Sequence, residues 1–191
     1  MVAGSEVALV PTAIGTFQVV YHDRTVQVVD LLERGVEQSG PVSDAKTVSR
    51  FPKESPPAQL REYFSGKRQS FDVSIEPLGG RFDQGVWKEI FAIPTGSTLS
   101  YGELARRSGH AGSARAVGGS VGRNPIPIII PCHRVVGEHG DLTGFGLGLW
   151  RKRWLLQHEG AWPLKPKTVD GPPNRAQRTL EASLGLRRAP G

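Results

Sequence analysis

An α/β unit followed by a mainly helical unit is the architecture that the sequence predicts, and three observations predict it. Short alternating apolar runs crowd the first 76 residues, as half-buried strands do. Apolar residues at helical spacing take over after Pro77-Leu78-Gly79-Gly80. Beyond Trp162, Pro, Lys and Arg replace large apolar residues. These shifts divide the chain into 1–76, an α/β scaffold with a small antiparallel sheet and a helix; 77–162, a helical unit; and 163–191, a basic disordered tail.

In the first unit, residues 1 to 14 offer little. Gly15 to Leu32 reads as a hairpin, with Phe17, Val19 and Tyr21 alternating, a turn at His22-Asp23-Arg24, and Val26 and Val28 resuming. Residues 33 to 50 read as connection. Pro56-Pro57 opens a helix with Leu60 and Phe64 on one face, ending at Gly66. Phe71, Val73 and Ile75 read as a strand.

In the second unit, Phe82, Val86, Ile90 and Phe91 make an amphipathic helix that stops before Pro94, with Trp87 in its core face. Ser100 and Glu103 form a capping box. Leu104 and Ala105 face inward, and a glycine-containing turn leads to a second helix capped by Ser113 and running towards Arg123. Helix, tight turn, helix is the spacing of a helix-turn-helix. The second helix is rich in small residues (Ala114, Ala116, Gly118, Gly119, Ser120), and two mid-helix glycines cost about 1 kcal/mol each. Close approach of a partner is a reason to accept that cost. Arg115, a cation in the first turn, opposes the helix dipole. The final helix, Arg151 to His158, is read with Trp154 and Leu155 inward and Arg151, Lys152 and Arg153 outward.

The single cysteine of the 191 residues excludes an internal disulfide and any multi-cysteine metal site, and points to a reducing compartment. No apolar run approaches the ~20 residues of a membrane span, and no signal peptide is read at the N-terminus. A net charge of +6 suits a polyanion such as nucleic acid, though charge alone is weak support. That cysteine sits in Pro131-Cys132-His133-Arg134-Val135-Val136, after an apolar run, Asn124-Pro125-Ile126-Pro127-Ile128-Ile129-Ile130, read as an extended, buried lead-in. A lone cysteine is more often a small hydrophobe than a nucleophile. His133 and Arg134 beside it make a reactive thiol an even alternative on the residues alone. Further on, Leu142 to Gly148 is a glycine-rich loop without the ending of a phosphate-binding loop.

Pro131-Cys132-His133-Arg134-Val135 resembles the signature of the O6-alkylguanine-DNA alkyltransferases, also called methylated-DNA–protein-cysteine methyltransferases. The likeness runs from about Phe82 to Gly160 and includes Trp87, Tyr101-Gly102, Ala114 to Gly118, Asn124-Pro125-Ile126 and Leu155 to Gly160. It implies a DNA-repair protein that flips O6-alkylguanine out of double-stranded DNA and moves the alkyl group irreversibly to Cys132, once per molecule. It implies His133 as a base acting through a water, Glu159 orienting His133, and Asn124 bracing the loop. Arg115 is the implied arginine finger, Tyr101 the implied flipping and guanine-binding tyrosine, and Ala114, Ala116, Gly118 and Gly119 the face set in the minor groove. Tyr101, Pro127, Val135, Phe145 and Gly146 are the implied substrate pocket.

The implied reaction needs no cofactor and no metal, and the implied protein is a cytoplasmic, nucleoid-associated monomer, with cooperative binding along DNA left open. Zinc occurs in the N-terminal domain of some members, but one cysteine cannot copy that thiolate site. Leu147 departs from the family's usual loop and is expected to narrow the pocket against bulky adducts. The main alternative is a non-catalytic lesion sensor of the alkyltransferase-like type, which lacks the acceptor cysteine. A hydrolytic Cys-His enzyme and a transcription regulator are further alternatives.

Overall fold

A computed structural model describes residues 4–32, 46–48 and 50–162. The basic tail at 163–191 and most of the connection at 33–50 lie outside the described residues. Three strands, β1 (Glu6–Thr12), β2 (Gly15–His22) and β3 (Thr25–Leu31), form an antiparallel meander. The β2–β3 turn is the expected one, and its tightness is carried by Asp23 at φ 51°, a left-handed conformation that Asp tolerates.

β1 was not expected. Pro11 interrupts its alternation, which hides the strand from a periodicity reading. The proline is accommodated because the neighbour on that side, β4 (Lys46–Val48), pairs only with Glu6–Ala8. β4 runs parallel to β1, and β5 (Ser74–Ile75) runs parallel to β3, giving the order β4-β1-β2-β3-β5. The sheet is therefore mixed, not antiparallel as the sequence suggested. Parallel neighbours need long crossovers, and the helix α1 (Pro56–Phe64) lies in the connection between β4 and β5.

The second half holds α2 (Arg81–Phe91), β6 (Leu99–Ser100), α3 (Tyr101–Arg107), α4 (Ala114–Gly122), a 3-10 turn at Cys132–Arg134, β7 (Val135–Val136) and α5 (Leu149–His158). Ser100 caps α3 by accepting from the Glu103 N–H at 3.1 Å. The Glu103 carboxylate does not complete the box, because Arg106 and Arg107 take it. Ser113 precedes α4 without a side-chain cap bond. The lead-in Asn124–Ile130 is buried but not extended. It folds into a turn closed by Ile130 N–H donating to Ile126 O at 2.9 Å, with Ile128 at φ 75°. A β-branched residue at positive φ is strained. The turn is held from outside, since Val29 N–H of β3 donates to Pro125 O at 3.0 Å. The parallel β6–β7 ladder, pairing Leu99 with Val135, fixes the chain just after Cys132.

One continuous core runs through both halves, from Ala8 and Phe17 of the sheet through Tyr63 and Trp87 to Cys132 and Leu155. No helix among the described residues is long and apolar enough to cross a membrane. Trp87 is a hub of this core. Its indole N–H donates to Ser120 O at 2.9 Å, joining α2 to α4, and a Cβ on Gly79 would lie 2.5 Å from its ring. Trp87→Phe is expected to destabilise the fold by about 1–3 kcal/mol through the lost α2–α4 hydrogen bond and lost volume, the Ser120 carbonyl keeping only the Arg123 N–H. Chemical denaturation checks it, the midpoint falling at unchanged m-value.

Candidate active site

Cys132 is the first residue of the 3-10 turn, and it lines a cavity of about 490 Å³. The backbone around it is set by Asn124, whose amide donates to Ile130 O at 2.8 Å while its carbonyl oxygen accepts from Ile126 N–H at 3.0 Å. These bonds tie the two ends of the strained turn together and deliver Cys132 at its exit. Burial pushes the Cys132 thiol up. The Asn124 side chain, the Lys152 ammonium and the backbone N–H groups of Cys132 and His133 pull in the other direction.

The Nε2 edge of the neighbouring histidine enters a polar cluster. His133 is fully buried, and its Nε2 lies 3.1 Å from Glu159 Oε1. A carboxylate only accepts, so Nε2 carries the hydrogen and Nδ1 presents a lone pair. Nδ1 is buried and bonds to no protein group among the described residues. Glu159 caps the C-terminus of α5 and is held by more than His133. Arg134 donates to both its oxygens, from Nε to Oε2 at 2.8 Å and from Nη2 to Oε1 at 2.7 Å. Arg134 in turn reaches Thr95 Oγ1 and Ile93 O, and Tyr63 of α1 donates to Glu159 Oε1 at 2.7 Å. Burial alone would raise the Glu159 carboxyl, but His133 and Arg134 outweigh it and hold it well below the usual carboxylate range. Burial lowers His133 against the pull of Glu159, and Arg134 and Lys152 add to the lowering. The charge of Glu159 is thus balanced by Arg134, and the imidazole stays neutral.

Lys152 is where sequence and structure part most clearly. It was expected to face solvent, yet it is 0% exposed. Its Nζ donates to Thr143 O at 2.6 Å and lies 5.9 Å from the Tyr101 ring centroid. Burial brings it down to about 8, opposed by the nearby Cys132. Three consecutive basic residues, Arg151-Lys152-Arg153, look alike in sequence. Only the helical phase shared with Leu155 and Leu156 could have signalled that the middle one turns inward.

Tyr101, Pro127, Phe145 and Gly146 line the cavity beside Cys132, as do Leu147 and Asn124. Val135 does not. Its side chain is spent on the core as the first residue of β7. The cavity also takes Val29 and Asp30 from β3 and Val121 and Gly122 from α4, none of them evident from the sequence. The Tyr101 hydroxyl donates to Gly144 O at 3.2 Å, closing the glycine-rich loop over one side. Gly144, at φ 45°, sits where a Cβ would be 3.2 Å from that hydroxyl, so the tight approach requires glycine. On α4, Gly118 faces Tyr101, while Ala114, Arg115, Ala116 and Gly119 are exposed on its outer side.

Residues 81–161 match the family described as 6-O-methylguanine DNA methyltransferase, DNA binding domain. A methylated-DNA–protein-cysteine methyltransferase of Shigella flexneri is 41% identical over 143 residues, covering 73% of this chain and 78% of the relative. The protein of that name from Mycobacterium tuberculosis (strain H37Rv) is 54% identical over 101 residues, 53% of this chain, and the chain spans only 61% of that relative's length. The crystal structure of Mycobacterium tuberculosis O6-methylguanine methyltransferase is similar with a TM-score of 0.71 at 38% identity, over 84% of this chain and 96% of that one. Mycobacterium tuberculosis OGT in complex with DNA gives a TM-score of 0.72 at 35% identity, over 92% of this chain and 98% of that one. With a relative matched over most of its length, and the same fold at more than a third identity, the chain belongs to the methylated-DNA–protein-cysteine methyltransferase family.

Proposed function

We propose that this protein repairs DNA by moving an alkyl group from O6 of guanine to Sγ of Cys132, irreversibly and once per molecule. The observation that carries this reading is a buried thiol opening into a cavity large enough for a purine, beside a neutral histidine whose Nδ1 is free to accept a proton. A water between Sγ and Nδ1 passes the thiol proton to His133, and Glu159 with Arg134 steadies the transient imidazolium. Lys152 stabilises the thiolate by charge, in a setting where burial otherwise opposes ionisation. Sulfur then bonds to the alkyl carbon as the C–O6 bond breaks, and the guanine oxygen keeps the electron pair until the base is protonated. A thioether does not hydrolyse, so the protein is spent.

The lesion reaches the thiol only when rotated out of the stack, at a cost of a few kcal/mol. We read α3 and α4 as a helix-turn-helix that lays the small outer face of α4 in the minor groove. Gly118, Val121 and Gly122 of that helix also wall the cavity, so duplex bound there lies next to the pocket mouth. Arg115 is exposed and makes no ion pair among the described residues, which leaves it available to fill the gap of the extruded base. Asn124 braces the turn, and Tyr101 crowds the target nucleotide and bonds the guanine. Residues 1–76 serve chiefly as scaffold, and the protein acts as a monomer in a reducing cytoplasm. Cys132 itself argues against the lesion-sensor alternative, which has no acceptor.

Incubation with a duplex containing O6-methylguanine, followed by mass spectrometry, is expected to show the gain of one methyl at Cys132 and none in Cys132→Ser. An unmodified protein that releases product repeatedly would instead mean hydrolysis. Leu147 is buried on the cavity wall, so benzyl transfer is expected to be slower than methyl transfer, with Leu147→Ala narrowing the difference. Equal rates for the two adducts in the unaltered protein would refute that role.

A further inference from the structure

The first unit reads from sequence as scaffold, but one of its side chains enters the cluster behind Cys132. Tyr63, near the end of α1, is fully buried, and its hydroxyl has one protein partner among the described residues, Glu159 Oε1 at 2.7 Å. The same oxygen receives His133 Nε2 and Arg134 Nη2. A carboxylate oxygen offers about two lone-pair directions. Three donors on one oxygen therefore compete, and each limits the hold of the others.

The phenol is also tightly placed. The ring packs on Phe71 and Phe64 and edge-on against His158, with centroids 5.4, 5.3 and 5.2 Å away. The Tyr63 carbonyl lies 2.7 Å from His158 Nε2, so α1 grips the last turn of α5 just before Glu159. A phenylalanine would meet every apolar contact. Only the carboxylate makes use of the hydroxyl.

We propose that Tyr63 is a positioning residue for the alkyl-accepting centre, its hydroxyl setting how much of Glu159 Oε1 is left for His133. This inference rests on the functional reading given above and makes the N-terminal unit a working part of the site. Removing the hydroxyl leaves Glu159 freer to bind His133, which raises the imidazole's affinity for a proton. The ionisable groups around His133 are Cys132 and Arg134 on its own turn, Lys152 and Glu159 on α5, and Tyr63 on α1, with His158 against the Tyr63 ring. Lys152, brought down by burial to about 8, keeps its charge below neutrality. Below neutrality the titrating partner of Glu159 is therefore His133, which must be neutral to take the thiol proton.

The test measures methyl transfer from duplex O6-methylguanine and Cys132 alkylation by iodoacetamide, each from pH 5 to 8, in the full chain. Tyr63→Phe is expected to move the acid limb of both profiles upward by about half to one pH unit. The rate at the acid edge then falls about three- to tenfold while the plateau changes little. Site-specific 3-fluorotyrosine at 63, a stronger donor of the same shape, is expected to move the limb downward. This second variant keeps the test valid even if the phenylalanine variant folds poorly. A uniform loss of rate without a shift, or no change in either variant, would overturn the role. If the unaltered protein takes no methyl, the functional reading fails, whereas the iodoacetamide profiles still decide on Tyr63.

Discussion

The bidentate pairing of Arg134 with Glu159 is the interaction on which the rest of the site depends. Two buried charges are expensive to desolvate, and a buried pair is rarely a net source of stability. Here the geometry is good: both carboxylate oxygens are engaged, and the guanidinium also reaches Thr95 and Ile93. Removing one partner from such a pair typically costs 3–5 kcal/mol because the other is left uncompensated. The pair has a chemical consequence as well. With its charge already met, the carboxylate orients His133 without forcing a proton onto it, and the imidazole keeps Nδ1 available as a base.

The thiol is prepared by different means. Its burial opposes ionisation, and the opposing groups come from three separate places: Asn124 before the turn, the backbone of the turn itself, and Lys152 on α5. Positive φ at Ile128 is the cost of bringing the chain back in time to present Cys132 to the cavity. Asn124 within the loop and Val29 from the sheet hold that conformation in place. Sheet, turn and α5 thus converge on one sulfur, and the continuous core makes them a single packed body around it.

Local pattern made part of this legible. The β2–β3 hairpin, α1, α2 and the paired α3 and α4 follow from alternation, prolines and apolar spacing. The Cys132 neighbourhood stood out because the cysteine is single and its flanks are unusual. What stayed hidden was tertiary. Pro11 masked β1, and the parallel edges of the sheet arise from crossovers that no window of sequence contains. Lys152 was misplaced because its burial is tertiary, its ammonium donating to Thr143 O near Cys132. Tyr63 gave no signal in the sequence, since its partner lies 96 positions away. Val135 was placed in the pocket by the family resemblance, whereas as the first residue of β7 it is buried in the core.

Glu159 is neutralised by Arg134, leaving His133 uncharged with its hydrogen on Nε2. Nitrogen-15 NMR of the histidine-labelled full chain at pH 7 tests this most directly. One buried imidazole is expected with a protonated Nε2, a pyridine-like Nδ1, and titration below the ordinary histidine range. An imidazolium at pH 7, or a hydrogen on Nδ1, would contradict it.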